Sequence, residues 1–325
     1  MKFLITGGAG YIGSITNWVL QSSGHETVIF DNMKNGHAEA VRNTTVVVGD
    51  LCNKDDVEAV FQNKTFDAVI HFAALALAGE SMGQPYDYFH NNIDGGLNLL
   101  ESMQAHHCSS IIFSSTCAVY GFPKTLPVTE ESPIGPTSVY GASKRMFEEI
   151  LDWYDAVHGI KNAKLRYFNA SGALPDGTLG EDHKQETHII PASISAAVSG
   201  NPFFVYGNDY HTKDGTCVRD YIHVLDLADA HIKAAQDISK NKTSFAVNLG
   251  TGMGFSNMEV LKSVEQVTGK KINIQFKDRR VGDPDAIYAD NTKAKKMLGW
   301  NPKYTSPVSI IETAWGWHQK HPNGY

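Results

Sequence analysis

A doubly wound, Rossmann-like α/β fold with a parallel sheet, joined by a smaller interleaved lobe towards the carboxyl end, is the architecture this sequence predicts. Three observations predict it. A short apolar strand at residues 2–6 runs straight into the glycine-rich turn Gly7-Gly8-Ala9-Gly10-Tyr11-Ile12-Gly13 and then a helix at 14–23. Strand and helix then alternate regularly as far as residue 167, the pattern of a sheet covered by helices on both faces. After Asn169 the rhythm breaks, and polar, glycine-bearing stretches at 171–187 and 207–215 take over.

The first unit carries the strongest chemical signal. Gly7, Gly10 and Gly13 let the chain turn tightly, approach a pyrophosphate and pack helix against strand, while the helix N-terminus offers N–H groups and a positive dipole end. A strand at 26–30 follows and ends at Asp31, an acid suited to a ribose 2′-hydroxyl. Strand, glycine turn, helix, strand and acid in this order point to a bound dinucleotide. Asp31 would repel a 2′-phosphate, which favours NAD over NADP. Lys34 and Arg42, close by in sequence, soften that preference.

The series continues with a strand at 44–48, a helix at 54–62, a strand at 67–72 and a long helix at 86–105. A strand at 109–114, a helix at 140–158 and a strand at 163–167 close it. These strands are apolar and β-branched, as strands buried on both faces are. Beyond them, helices are expected at 190–199 and 224–238, with a strand at 245–249 that returns to the main sheet. Helices at 256–268, 291–298 and 307–318 complete the smaller lobe. The expected division is a dinucleotide domain at 1–168 with a return segment near 220–252, and a lobe mainly for substrate at 169–325.

Ligands of such sheets bind beyond the carboxyl ends of the strands. That rule gathers Asp50-Leu51, Phe72-Ala73-Ala74, Ser114-Ser115-Thr116 and Tyr167-Phe168-Asn169 around one crevice.

Bulk properties exclude several classes. With 325 residues, 42% hydrophobic and 19% charged, the chain can bury a sizeable core. A net charge of −7 argues against a nucleic-acid backbone as partner. The longest apolar run, 72–78, is far too short for a membrane span, and residues 3–5 are too few for a signal-peptide core, so a cytoplasmic location is expected. Cys52, Cys108, Cys117 and Cys217 have no paired spacing and read as inert thiols. The fourteen histidines, His183 and His188 included, show no metal-ligand spacing, and no metal site is read.

Chemistry is expected where Tyr140-Gly141-Ala142-Ser143-Lys144 opens a helix. Residues four apart share one helix face. A lysine cation and a positively charged nicotinamide ring would both lower the tyrosine's ordinary pKa of about 10. A hydroxyl from Thr116 or Ser115 could hydrogen-bond the reacting oxygen. Such a group suits moving a proton on a carbinol oxygen while hydride passes to NAD. Alone, Tyr-x-x-x-Lys describes many surface helices; its place after a hydroxyl-rich strand end is what gives it meaning.

At this point the chain resembles the extended short-chain dehydrogenase/reductase family and, within it, the UDP-glucose (UDP-galactose) 4-epimerase branch. The likeness is carried by Thr6 to Ser14, Asp31-Asn32, Asp50-Leu51, His71-Phe72-Ala73-Ala74, Asn91-Asn92 and Val119-Tyr120-Gly121. It continues through Leu165-Arg166-Tyr167-Phe168-Asn169 and the stretch from Gly207 to Val224, and ends with Arg279-Arg280-Val281-Gly282-Asp283-Pro284. It spans nearly the whole chain.

The resemblance implies that Tyr140 takes the proton from a sugar 4-hydroxyl as the 4-hydride goes to tightly held NAD. The 4-keto sugar then turns over and accepts the hydride on its other face. It implies that Thr116 assists the 4-oxygen, and that Lys144 tunes Tyr140 and holds the nicotinamide ribose. Cofactor contacts are implied for Gly7, Gly10, Tyr11, Ile12, Gly13, Asp31, Asn32, Asn35, Asp50, Leu51, Phe72, Ala73, Ala74, Asn91, Ser114, Tyr140, Lys144 and Tyr167. Substrate contacts are implied for Thr116, Tyr140, Phe168, Asn169, His188, Ile189, Tyr206, Arg219, Arg280 and Asp283. Two arginines suit a diphosphate through forked, charge-assisted bonds. A homodimer through the helices near 86–105 and 140–158 is also implied.

Three positions depart from the family pattern. Ala76 stands where a lysine near the cofactor phosphates is common, and Ile15 where a histidine follows Gly-Ser. Ile287 stands where the bulk of the sugar's 2-substituent is gauged, so UDP-N-acetylhexosamines and UDP-pentoses remain alternative substrates. A dehydratase would need an Asp-Glu pair after Thr116, where Cys117-Ala118 stand instead. A net oxidoreductase releasing NADH is a further alternative, and a non-catalytic NAD-binding regulator would be expected to lack Tyr140 or Lys144.

Overall fold

Strand β1 (Lys2–Thr6) is buried at every residue but Lys2, so it belongs in the middle of a sheet covered on both faces. In the computed structural model, which describes residues 1–280 and 282–325, it lies there. The first half of the chain supplies α1 (Tyr11–Ser22), β2 (Glu26–Asp31), β3 (Thr45–Val48), α2 (Lys54–Phe61), β4 (Ala68–His71), α3 (Ala78–Ser81), α4 (Pro85–Phe89) and α5 (Gly95–Ala105). Next come β5 (Ser110–Thr116), α6 (Val139–His158) and β6 (Lys161–Tyr167). The second half adds β7 (Asn169–Ser171), α7 (Ile189–Ser199), β8 (Pro202–Tyr206), β9 (Val218–Arg219), β10 (Tyr221–His223), α8 (Val224–Asn241) and β11 (Phe245–Leu249). It ends with β12 (Phe255–Ser256), α9 (Asn257–Thr268), β13 (Asn273–Lys277), β14 (Ala286–Ile287), α10 (Thr292–Leu298) and α11 (Pro307–Lys320).

The main sheet has the order β11-β6-β5-β4-β1-β2-β3, with every neighbouring pair parallel. Its first six strands reproduce the doubly wound order, and the predicted fold class stands. Alternate side chains feed two cores. Phe3, Ile5, Ile29 and Ile70 pack with Leu227, Ala230 and Ile238 of α8. Leu4, Val28 and Val69 pack with Val57 of α2, Leu99 of α5 and Phe147 of α6. A third core joins α7, α9 and α11 through Ile190, Ile194, Val260, Val264 and Ile310.

Two expectations need correction. The helix read at 86–105 is not uniform, because a π-helical turn at His90–Asp94 separates α4 from α5. Asn92 lies in that widened turn and is buried. Its Oδ1 accepts from the Leu75 N–H at 2.9 Å, and its Nδ2 donates to the Leu75 carbonyl and to Ser143 Oγ, each at 3.0 Å. The wide turn thus ties the segment after β4 to the helix that begins the candidate site, a use often made of π-bulges.

The carboxyl lobe also holds short strands that the sequence did not predict. β8 pairs with β13, and β9 lies between β12 and β14. Asp220, fully buried, fastens this lobe. It accepts hydrogen bonds from the Thr251 N–H and hydroxyl, the Gly252 N–H and the Ala289 N–H, at 2.7–3.1 Å.

Candidate active site

The glycine turn after β1 is shaped by contacts that leave no room for side chains. Gly7 has φ of 71°, and a Cβ at Gly13 would come within 2.2 Å of the Gly7 carbonyl oxygen. At Gly10 the surroundings are open, the Gly7 oxygen being 3.5 Å from a Cβ placed there. Helix α1 starts at this open point with no side-chain cap and no acid in its first turn. The N–H groups of Tyr11, Ile12 and Gly13 therefore sit at a positive helix end fit for an anion.

Asp31 is held under this turn, accepting from the Ala9 and Met33 N–H groups at 2.9 Å each. Lys34 pairs with Asp50 at 3.1 Å, and Arg42 donates to the Thr178 carbonyl at 3.3 Å. Neither cation neutralises Asp31, so the preference for an unphosphorylated ribose holds. Asn32 reaches Asp50 at 3.4 Å, Asn35 is exposed, and Leu51 is buried. Phe72, Ala73 and Ala74 follow β4 directly beside the turn, where the Ala73 nitrogen would lie 2.6 Å from a Cβ on Gly7. Tyr11 donates to the Gly172 carbonyl at 2.6 Å, and Asn91 to Asn92 Oδ1 at 2.9 Å. The family-pattern departure at Ile15 is a fully buried core residue, and Ala76 is exposed.

Helix α6 is capped by Ser138, whose Oγ accepts from the Gly141 N–H at 3.1 Å. The cap sets Tyr140 in the first turn, where the Thr116 hydroxyl at the end of β5 stabilises its phenolate. Burial, and the neighbouring Tyr167, outweigh that effect and hold the phenol far above its ordinary range. Lys144 is almost wholly buried and donates to the Ser114 carbonyl at 2.8 Å. Burial lowers its pKa to about 7 against the opposing charge of Glu148.

Lys144 shares a helix face with Tyr140, and its ammonium is held on the strand-end carbonyl of Ser114. Sequence reading also missed Glu148, one turn further along. It is fully buried in a forked pair with Arg166, whose Nε and Nη2 lie 2.8 and 2.6 Å from the carboxylate. Ser114 and Tyr167 join their hydroxyls across the ends of β5 and β6.

On the facing side, Phe168 is buried against Val119, Tyr120 and Ile287. Asn169 donates to the Asp220 carbonyl at 2.8 Å, and His188 and Ile189 stand at the start of α7. The guanidinium of Arg280 stacks 4.1 Å from the Tyr206 ring centre. Arg219 donates through Nη1 to the Val218 and Pro284 carbonyls and lies 3.4 Å from Asp283. Its Nη2, the nitrogen nearest Asp283, is buried and makes no hydrogen bond among the described residues, a donor arrangement that suits an incoming phosphate oxygen. Val281, within the motif read at 279–284, lies outside the described residues.

The Cys117 thiol, beside Thr116, is pushed up to about 12 by burial, so it offers no acid or base near neutrality. A shallow hollow of about 680 Å³ lined by Lys2, Trp18, His25 and Thr44 lies at the opposite, amino ends of β1 to β3, away from all these groups. His183 and His188, for which no metal-ligand spacing was read, come together with Glu181 and Glu186.

Residues 3–250 match the model of the NAD dependent epimerase/dehydratase family. A UDP-glucose 4-epimerase of Lactobacillus helveticus is 45% identical, the alignment covering 100% of this chain and 99% of that protein. A crystal structure of a UDP-glucose 4-epimerase superposes with a TM-score of 0.97 at 43% identity, covering 100% of this chain and 99% of the other. The UDP-glucose 4-epimerase of Bifidobacterium longum, solved in complex with NAD+ and UDP, gives a TM-score of 0.95 at 40% identity over the full length of both chains.

Proposed function

Because the chain belongs to the NAD dependent epimerase/dehydratase family, we propose that it interconverts UDP-galactose and UDP-glucose. It inverts carbon 4 of the sugar through a transient 4-keto sugar, with NAD as bound cofactor and no net redox change. The observation that carries this reading is the placing of Tyr140 and Lys144 at the start of α6, Lys144 bonded to the end of β5, on the same carboxyl edge of the sheet as the open glycine turn after β1. The hydride acceptor and donor that this chemistry requires is supplied by NAD when bound.

Tyr140 takes the proton from the sugar 4-oxygen and later returns it, acting as base and then acid. Thr116 hydrogen-bonds the same oxygen and orients it. Lys144 holds the ribose next to the nicotinamide, and Asp31 accepts from the other ribose. The first N–H groups of α1 hold the pyrophosphate of the cofactor. Arg219 and Arg280 hold the diphosphate of the substrate, with Tyr206, Asp283, Asn169, Phe168, His188 and Ile189 forming the walls for UDP. A dehydratase is disfavoured because Cys117 and Ala118 cannot supply its acid and base. In this reading residues 1–168 with 220–252 serve the cofactor, and 169–325 mainly serve the UDP-sugar.

The protein should be incubated with UDP-galactose, with and without added NAD, and the sugar nucleotides separated by anion exchange. Conversion to UDP-glucose without net NADH is the expected result. Steady NADH release would replace the reading by a net oxidoreductase, and conversion confined to UDP-N-acetylhexosamines or UDP-pentoses would move the substrate. Dependence on added NAD would trace to Ala76, which brings no cation to the cofactor.

A homodimer through α4–α5 and α6 is supported by the apolar stripe of Met146, Trp153 and Val157 on α6, 46–70% exposed, with Tyr86 exposed on α4. Large apolar side chains lined up on one face in this way mark an association surface. Sedimentation equilibrium should return twice the chain mass of 35.6 kDa, and Trp153→Glu should return it to one. A wild-type monomer at micromolar concentration would end the proposal. No described helix is long and apolar enough to cross a membrane, and we place the enzyme in the cytoplasm.

A further inference from the structure

Between β7 and α7, four side chains turn their ligand atoms towards one point. His183 Nδ1 lies 3.1 Å from Glu186 Oε2 and 3.4 Å from Glu181 Oε1. His188 Nδ1 lies 2.8 Å from Glu181 Oε1 and 3.2 Å from Glu186 Oε1. One ligand atom from each residue falls within 4.8 Å of all the others. Tetrahedral zinc, with bonds of about 2.0–2.2 Å, sets neighbouring donors about 3.3–3.6 Å apart. The observed spacings are already close to those edges, and small rotations of the four side chains would complete them.

A second observation points to a ligand. Glu181 is only 7% exposed, and among the described residues its buried Oε1 makes no well-directed hydrogen bond, although the His188 and His183 Nδ1 atoms lie 2.8 and 3.4 Å away. A buried acceptor left in this state is costly, and a cation seated among the four groups would satisfy it. Two neutral imidazoles and two carboxylates carry a charge of −2, which a divalent ion balances. Imidazole nitrogen with carboxylate oxygen suits zinc and its neighbours rather than calcium or magnesium, which prefer oxygen alone.

We propose that Glu181, His183, Glu186 and His188 form a closed, four-ligand structural site for one divalent transition-metal ion of zinc's class. The ion joins the segment after β7 to the start of α7. The neighbours give the clamp a purpose. The His183 ring meets that of Tyr11 edge-on at 6.5 Å, and Asp182 accepts from the Tyr325 N–H at 3.0 Å and stands 3.7 Å from His37. Metal binding would hold the end of α7 that carries Ile189 against the first turn of α1. With four protein ligands no position is left for a reacting water, so the ion takes no part in turnover.

The test reads binding directly and does not depend on epimerase activity. Tag-free full-length protein is stripped with a chelator, exchanged into metal-free buffer and titrated calorimetrically with zinc chloride. Saturation at one equivalent per chain is expected. X-ray absorption of the loaded protein should show two imidazole nitrogens and two carboxylate oxygens. His183→Ala and Glu186→Gln should each weaken zinc binding by about 100-fold, at the upper end of what disturbing even a supporting residue costs. No saturable binding by the wild type, a metal shell containing sulfur or a single imidazole, or undiminished binding by both variants would each overturn the proposal. The first two hold even if a variant fails to fold. The alternative, a metal-free network of two imidazolium–carboxylate pairs, predicts no binding at all.

Discussion

Tyr140→Phe is expected to lower kcat by about three orders of magnitude, within the range that a positioned acid–base group supplies, while NAD and UDP bind as before. The hydroxyl is the only atom removed, and the ring keeps its place because the Ser138 cap and the Tyr140 N–H bond to Ser81 Oγ at 3.1 Å are backbone features. The size of the effect follows from the environment of the phenol. Burial drives its pKa up and the Thr116 hydroxyl works against that, so the proton transfer needs a shaped site that water cannot replace. The check is a single-turnover measurement of UDP-galactose conversion beside calorimetric binding of NAD and UDP. Turnover within a few-fold of wild type would remove Tyr140 from the role of base, and lost binding would show that its ring holds a ligand.

The parts of this site that were legible in sequence are those built from local periodicity. The glycine turn, Asp31 at the end of β2 and the four-residue step from Tyr140 to Lys144 are all set within one or two elements. The convergence of strand ends on one crevice follows from the parallel sheet itself. Contacts made over long sequence distances were not legible. The pairing of β8 with β13 joins segments about seventy residues apart through five positions, too short to register as alternation. Asn92 could not be distinguished from Asn91, because the π-helical turn that buries it has no sequence signature. The bond from the Lys144 ammonium to the Ser114 carbonyl is set by how α6 crosses β5 and has no local signature. The Glu181, His183, Glu186 and His188 cluster was missed because its spacing fits no helix face; the path of an irregular loop brings it together.

Glu148→Ala should destabilise the fold by about 3–5 kcal/mol, the usual cost of leaving a buried charge without its partner. Glu148 is fully buried and Arg166 is 5% exposed, so solvent cannot take over when either is removed. The carboxylate also accepts from Ser115 Oγ at 2.6 Å, and Arg166 donates to the Tyr120 hydroxyl at 3.0 Å. Replacing both, as Glu148→Leu with Arg166→Met, should recover much of the loss seen in Glu148→Ala. Apolar side chains of similar volume remove the stranded charge, though Ser115 and Tyr120 keep a smaller penalty. Urea titrations of the wild type, Glu148→Ala, the singles Glu148→Leu and Arg166→Met, and the double variant decide it, and a double variant as unstable as the sum of its singles would show that the pair acts through packing alone. Glu148→Gln separates this structural role from an electrostatic one. The Glu148 charge opposes the burial that brings Lys144 to about 7, so its loss should lower the lysine pKa further. Turnover that requires the ammonium would then fall at pH 7 and recover at more acid pH, moving that limb of the kcat profile towards lower pH. An unchanged profile would confine Glu148 to holding α6 against β5 and β6, whereas an acid shift would make it the positioning residue that keeps Lys144 charged.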